Sequence, residues 1–175
     1  MPTLVAPTAD LHTAWLAMRD EWGRGVHQDG SGLRPGDEVD SPAGFAAWVA
    51  KLRRLGDESV PPPEGWVHAA FWWIAGDDGA LLGAISLRYS LNDFLLDAGG
   101  HIGYGVRPSA RGRGVATWAL GAVLAAARGR GLGRVLVTCD ETNPASARVI
   151  ERHGGVLEDV RDTVLGRTRR YWITL

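Results

Sequence analysis

Residues 101–128 read HIGYGVRPSARGRGVATWALGAVLAAAR, and the fold can be worked out from this segment. The apolar run at its start predicts a short strand over residues 102–106, and the Arg-Pro-Ser sequence at 107–109 predicts a sharp turn. From Val115 onward the segment is rich in Ala, Leu, Val and Trp and lacks proline, which predicts a helix of about three to four turns. The segment is therefore a strand, a turn and a helix.

Two glycines, Gly112 and Gly114, stand where this helix is predicted to begin. A glycine has no Cβ to cover the backbone, and the N–H groups of the first helical turn have no partner within the helix. The positive end of the helix dipole points to the same place, and Arg107, Arg111 and Arg113 add positive charge around it. The sequence therefore predicts a binding site for a phosphate, and in particular for a diphosphate.

Two common phosphate-binding motifs do not fit this segment. A Walker loop ends in Gly-Lys-Ser/Thr, but the only lysine of the chain, Lys51, lies elsewhere. A dinucleotide-binding turn follows the first strand of a strand–helix–strand unit. The glycines of residues 129–133 lie between a helix and the next strand, which is the reverse order, and they indicate a helix C-terminal turn.

A second motif follows the helix. Residues 134–139 alternate as a buried strand does, and Asn143 with Pro144 is typical of a helix cap followed by proline at the first helical position. The two glycines at 154–155 predict the end of that helix. The chain thus carries strand, turn, helix, strand and helix in direct succession.

Three features resemble the GNAT superfamily of N-acetyltransferases: the Arg-x-x-Gly-x-Ala sequence at 111–116, the preceding strand ending in Val-Arg-Pro, and the downstream Asn motif. More narrowly, Leu-Asn-Asp, Gly-Gly-His-Ile-Gly-Tyr, Thr-Cys-Asp and Arg-Tyr-Trp-Ile resemble a branch of predicted bacterial acetyltransferases with largely unassigned acceptors. The resemblance implies acetyl-coenzyme A as co-substrate. It implies that Asn143 contacts the pantetheine arm, although a plain helix cap is the alternative. The implied coenzyme contacts are Tyr104, Gly105, Val106, Arg111, Gly112, Arg113, Gly114, Val115, Ala116, Thr117, Asn143 and Ser146.

Length and composition indicate one ordinary globular domain over residues 1–175, with 45% hydrophobic and 22% charged residues. We expect a cytoplasmic protein without membrane insertion, because no apolar run approaches about 18 residues and the N-terminus lacks a signal pattern. Cys139 is the only cysteine, so no disulfide can form within the chain, and no Cys/His cluster indicates a metal.

Charge is unevenly distributed along the chain. Residues 101–175 carry twelve Lys/Arg against six Asp/Glu, whereas residues 1–100 carry seven against fourteen. The basic part contains the predicted diphosphate site, and the acidic part favours a cationic, amine-bearing acceptor. The arginines are dispersed through strands, caps and turns, which argues against nucleic-acid binding.

The remaining elements complete the order expected of the GNAT fold, an α/β (α+β) fold with a mixed, mostly antiparallel sheet of about seven strands and about four helices. The resemblance implies that the first two helices and their loop form a wall of the acceptor site. Trp15, Trp22, Phe45 and Trp48 could line it, although burial in the core is the favoured alternative.

We predict a strand (3–6), a helix capped by Thr8 or Asp10, a loop (23–40), a helix from Ser41, an extended linker (57–65), two hairpin strands (66–75 and 80–89), a bridge (91–100) and a closing hairpin (156–160 and 169–174).

In this superfamily the acceptor amine attacks the thioester carbonyl directly, and a backbone N–H near Val106 is expected to polarise that carbonyl. Many members have a tyrosine seven residues after the motif asparagine, where it protonates the leaving thiolate. This chain has Ile150 there, and an apolar side chain cannot donate a proton. The role is vacant or moved to Ser146, Tyr104 or a water.

The general base and the acceptor contacts stay open at this point. His101 has a suitable ordinary pKa, but strand alternation places it on the opposite face from Tyr104, and a structural hydrogen bond is the alternative. Asn92 and Asp93 either hold an acceptor amine or cap a turn. Tyr171 is expected to reach the site from the last hairpin, and Cys139 is expected in the core.

These observations predict an N-acetyltransferase that moves an acetyl group to a primary amine of a small molecule, such as an amino acid, a polyamine or an amine-bearing antibiotic. One alternative is a protein N-terminal or lysine acetyltransferase, and another is a catalytically silent acyl-coenzyme A-binding protein. The loop at residues 23–40 favours a small acceptor if it closes over the pocket, and a peptide if it leaves a groove. Many relatives form dimers, so a homodimer is a further expectation.

Overall fold

The computed structural model describes all 175 residues, and seven of its segments pair into one sheet. The strands are β1 (Thr3–Val5), β2 (Ala69–Ala75), β3 (Leu81–Arg88), β4 (Ile102–Val106), β5 (Arg134–Asp140), β6 (Val156–Thr163) and β7 (Gly166–Thr174). Their order across the sheet is β1-β2-β3-β4-β5-β7-β6. Only the central pair, β4 and β5, is parallel. The predicted mixed, mostly antiparallel sheet is confirmed.

Four α-helices flank the sheet: α1 (His12–Trp22), α2 (Pro42–Leu55), α3 (Val115–Gly129) and α4 (Pro144–Arg152). Two of them begin at the predicted caps. The Ser41 hydroxyl accepts from the Gly44 amide, and the Asn143 side chain accepts from the Ser146 amide. Thr8 caps a 3-10 turn that leads into α1. No helix of the structure is both long and apolar enough to cross a membrane.

The two faces of the sheet carry separate cores. Helices α3 and α4 cover one face, where Ile85, Ile102, Leu120 and Ile150 are fully buried. Helices α1 and α2 cover the other, with an aromatic cluster of Trp15, Phe45, Trp48 and Trp73. Of the four aromatic residues considered for the acceptor wall, three are therefore core residues. The fourth, Trp22, is only partly buried.

The central feature of the sheet is a split between β4 and β5. The two strands are in register at a single pair, Ile102 with Val137, and then diverge. We call the gap between residues 103–106 and residues 138–140 the β4–β5 split. The Arg107 amide donates to the Leu82 carbonyl on β3, so the amide of Val106, one residue earlier, is directed to the other edge of β4 and into the split. The Val106 amide inside the split is available to a ligand.

Several predicted elements differ in extent or form from the structure. The closing hairpin, predicted at 156–160 and 169–174, extends over Val156–Thr163 and Gly166–Thr174. The strand predicted from residue 66 begins at Ala69, because the Trp66 ring instead lies under the Arg34 guanidinium at 3.6 Å from its centroid. The predicted bridge at 91–100 contains a π-helical turn, Leu95–Gly99.

Candidate functional site

The N-terminus of α3 has the features of a diphosphate cradle. Gly114 occupies the N-cap position with φ 77°, and no side chain caps the helix, so its first-turn amides stay free. Gly112 has φ 74°, and no atom lies within 4 Å of the place where a Cβ would stand on either glycine. The positive φ angles favour glycine, and the open space admits a bulky anion. The residues present therefore fit the diphosphate of acetyl-coenzyme A.

Of the three arginines predicted around this cradle, two are available to a ligand. Arg113 is exposed and has no protein partner, and Arg111 donates from Nε to the Val106 carbonyl at 3.0 Å. Arg107 differs from the prediction, since it forms an ion pair with Glu21 at the end of α1. Hydrogen bonds from the Ser109 amide and from Arg107 lower the pKa of Glu21. Arg107 therefore ties α1 to the turn after β4.

The structure brings Tyr104 and Ser146 together at the β4–β5 split. The Tyr104 hydroxyl lies 2.7 Å from the Ser146 Oγ, and Ser146 is held by its amide, which donates to Asn143. Burial raises the pKa of Tyr104 well above its ordinary value. The phenol therefore keeps its proton at neutral pH, and the two hydroxyls form a short chain that can deliver a proton.

Other predicted residues take structural positions. Burial raises the pKa of Cys139 to about 11, so its thiol stays protonated. Ile150 is fully buried in the core and leaves no donor at that position. The Asn143 side chain is a helix cap, as the alternative had it, and its Nδ2 remains free for a ligand.

The predicted acceptor residues are not brought together. The Asn92 side chain donates to the Gly65 carbonyl and accepts from the Leu95 amide, so both of its polar ends are used within the loop. Asp93 is exposed and its side chain makes no hydrogen bond. Tyr171 lies buried among the core residues packed with α3 and α4, and its hydroxyl donates to Glu151. Its expected reach to the acceptor is not supported by this position.

His101 joins β4 to β5 by hydrogen bonds. Its Nδ1 accepts from the Leu136 amide at 2.9 Å, and its own amide donates to the Leu136 carbonyl. His101 is 7% exposed and its ring faces Trp172. Tyr171 and Ile173, on either side of Trp172, point into the core covered by α3 and α4, so Trp172 points to the other face of the sheet. His101 is thus on the other face from Tyr104, as strand alternation predicts, and its side chain has a structural role.

The buried imidazole predicts an acid-sensitive fold. Burial, with a contribution from Arg88, lowers the pKa of His101 to about 4 from 6.5, so between about pH 4 and pH 6.5 the unfolded chain binds a proton that the folded chain does not. Between pH 7 and pH 5 we expect His101 to lower the free energy of unfolding by roughly 2 kcal/mol. Urea unfolding at the two pH values should show this loss, and His101→Gln should show a loss smaller by that amount. Equal losses in the two proteins would contradict the prediction.

A contact that the sequence analysis did not find lies on the other face of β4. The turn at residues 28–31, called the closing turn below, packs directly on the strand. A Cβ on Gly30 would stand 2.4 Å from the Gly103 carbonyl oxygen, and one on Gly105 would stand 2.9 Å from the Trp22 ring. The available signal was the glycine at alternate positions of β4, which indicates close approach of another backbone.

Comparisons with known proteins agree with this geometry. A family model described as an acetyltransferase (GNAT) domain matches residues 26–156, which is most of the chain. A comparison with curated proteins gave no match.

Among solved structures, a Salmonella typhimurium acetyltransferase described as modifying the N-terminal serine of ribosomal protein L7/L12 has a TM-score of 0.68 at 19% identity, over 99% of this chain and 95% of that one. The microcin C7 self-immunity acetyltransferase MccE, solved with acetyl-CoA and AMP, has a TM-score of 0.72 at 15% identity, over 99% and 92%. A ribosomal-protein-S5-alanine acetyltransferase from Vibrio fischeri has a TM-score of 0.73 at 15% identity, over 99% of this chain and 91% of that one. At these identities the likeness establishes the fold. With the family match over residues 26–156, it follows that the chain belongs to the GNAT family of N-acetyltransferases, whose co-substrate is acetyl-coenzyme A.

Proposed function

We propose that this enzyme transfers the acetyl group of acetyl-coenzyme A to a primary amine of a small molecule. The observation that carries the proposal is the closing turn, whose Gly30 lies against the Gly103 carbonyl of β4. The loop at residues 23–40 thereby covers the face of β4 from which an acceptor would approach the split. A covered site suits a small acceptor, whereas a polypeptide needs an open groove.

The residues of the chain have separate tasks in this reaction. The first turn of α3, with Arg111 and Arg113, holds the diphosphate. Acetyl-coenzyme A supplies the thioester that an acceptor amine attacks. The Val106 amide, directed into the split, stabilises negative charge on the thioester oxygen. Tyr104, with Ser146 behind it, donates a proton to the departing sulfur.

In this proposal the acceptor and the proton donor lie on opposite faces of β4. The closing turn covers the face of Gly103 and Gly105, and the Tyr104 side chain lies on the face packed with α3 and α4. An amine arriving from one face can therefore attack while the sulfur leaves towards the other, which keeps the proton donor away from the nucleophile. No residue has a geometry that identifies it as the general base.

A second candidate is acetylation of a protein N-terminus. Four of the similar structures are described as acting on ribosomal proteins L7/L12 or S5. This candidate requires an open groove along β4, whereas a small amine needs only a local displacement of the closing turn, so the covered face of β4 weighs against it.

Turnover with a panel of acceptors tests the proposal. The protein is first titrated with acetyl-coenzyme A by calorimetry, and thiol release is then measured with amino acids, polyamines, aminoglycosides and short peptides with free N-termini. Turnover on a small amine supports the proposal. Turnover confined to peptides would favour the second candidate, and binding without any turnover would mean a silent coenzyme-binding protein.

Gly30→Ala should impair the acceptor side of the reaction only. The added methyl would clash with the Gly103 carbonyl and push the closing turn off β4. We expect kcat/KM for a small amine to fall at least about tenfold, because a displaced wall misorients the amine. Calorimetry should find the affinity for acetyl-coenzyme A unchanged.

Gly25→Ala is the matched control for this change. Gly25 is in the same loop and has φ 75° against 79° for Gly30, but no atom lies within 4 Å of its added Cβ. Both variants are destabilised by an alanine in the left-handed backbone conformation, and only Gly30→Ala adds a clash with the Gly103 carbonyl. If both lower kcat/KM equally, closure of the turn on β4 is not needed for turnover.

A further inference from the structure

An unusual set of hydrogen-bond donors surrounds Gly103 on the face of β4 under the closing turn. Ser86 is the register partner of Gly103 on β3, and Arg88 follows two residues later on the same face. The position of a Cβ on Gly103 is 3.3 Å from the Arg88 Nη1, 3.5 Å from its Nη2 and 3.2 Å from the Gly30 amide nitrogen. A guanidinium and a backbone amide therefore lie beside a residue that has no side chain, and the Ser86 hydroxyl belongs to its register partner on the same face.

Most of these donors have no partner in the protein. Arg88 donates from Nη1 to the carbonyls of Gly99 and Gly100, but its Nε and Nη2 make no hydrogen bond. The Ser86 hydroxyl is 1% exposed and unpaired, and the Gly30 amide makes no backbone bond. Gln28, in the same closing turn, is 4% exposed, and both polar atoms of its side chain are unpaired. A buried polar group without a partner is costly, so the unpaired Ser86 hydroxyl beside the free N–H groups of Arg88 indicates a ligand.

The charge of the cluster defines the chemistry of that ligand. Arg88 forms no ion pair, and burial lowers the pKa of its guanidinium. The nearest acidic group in the closing turn, Asp29, is mostly exposed and bonded to His27. A desolvated guanidinium with two free N–H directions matches the two oxygens of a carboxylate.

We propose that Arg88 binds a carboxylate of the acceptor, and that the closing turn folds over this carboxylate. Resting on the proposed function, this identifies the acceptor class as amino acids. Gly103 directly follows Ile102, where the β4–β5 split closes, so the Arg88 cluster is adjacent to the closed end of the split. An amine one or two carbons away from the carboxylate can then enter the split from the face of Gly103.

The proposal is tested with matched pairs of acceptors, each an amino acid and its carboxamide. The pair differs in the carboxylate charge, while the amine is retained. The amine of the carboxamide is less protonated at neutral pH, and that difference alone favours the carboxamide. For the wild-type enzyme we expect kcat/KM to be at least about tenfold higher for the acid. Arg88→Gln should bring the ratio to about one, and Arg88→Lys should give an intermediate ratio.

The ratio is independent of the amount of folded enzyme, which matters because Arg88 also contacts the Gly99 and Gly100 carbonyls. Arg128→Gln, which replaces an exposed arginine of α3 whose side chain makes no hydrogen bond, should leave the ratio at the wild-type value. Equal turnover of acid and carboxamide by the wild type would overturn the inference while leaving the proposed function intact. A preference for amines bearing a phosphate instead would likewise overturn the carboxylate assignment. Turnover of peptides alone would overturn the proposed function itself.

Discussion

Gly112→Asp is expected to weaken acetyl-coenzyme A binding at least about a hundredfold, because it places a carboxylate at the diphosphate cradle. The new charge would lie beside the free amides of α3, between Arg111 and Arg113. The space around Gly112 is open, and aspartate tolerates the left-handed backbone better than most residues. The fold should therefore be retained. Calorimetric titration with acetyl-coenzyme A measures the loss, and thermal unfolding checks the fold.

Gly112→Asn provides the control for this variant. Asparagine has nearly the shape of aspartate and adopts the same left-handed conformation, but it carries no charge. We expect it to weaken binding by less than about tenfold, because only the loss of space remains. Equal effects of the two substitutions would mean that repulsion of a phosphate is not the cause. Unchanged binding in Gly112→Asp would contradict the location of the cradle.

Local sequence signals were sufficient for the central elements of the fold. The strand predicted at residues 102–106 is observed as Ile102–Val106, since Gly-Gly-His before this segment and Arg-Pro after it leave little freedom in where the strand begins and ends. Proline after Asn143 marked the start of α4 because it suits only the first helical position. Prediction failed where a tertiary contact competes with a local preference. Trp66 was predicted in β2, but it lies outside the strand and its ring packs under the Arg34 guanidinium.

The candidate site was only partly predictable, because several of its contacts join segments far apart in sequence. Tyr104 and Ser146 were named separately as proton donors, and the structure places them 2.7 Å apart. Arg107 was assigned to the phosphate because nothing local showed that Glu21 would meet it. Arg88 was overlooked for the same reason. That its guanidinium forms no ion pair and keeps unpaired N–H groups is visible only when the closing turn and β4 are considered together.

The second large effect is expected for Tyr104→Phe, which removes the proposed donor to the leaving thiolate. Because a positioned acid typically contributes 10²–10⁴-fold, we expect kcat to fall roughly a hundredfold or more. The ring stays in place in the core, so the KM for acetyl-coenzyme A should change little. Thiol release under saturating acetyl-coenzyme A measures kcat.

Two further variants separate proton donation from packing. Tyr89→Phe removes a hydroxyl from a tyrosine that lies under Arg130, outside the split, and should leave kcat unchanged. Ser146→Ala leaves the Tyr104 proton in place but removes the hydroxyl that positions it, so a smaller loss of about tenfold is expected. If the kcat of Tyr104→Phe is within about threefold of the kcat of Tyr89→Phe, the loss is well below what a general acid contributes. Water then protonates the thiolate. In that case the Tyr104–Ser146 pair serves only to hold α4 against β4.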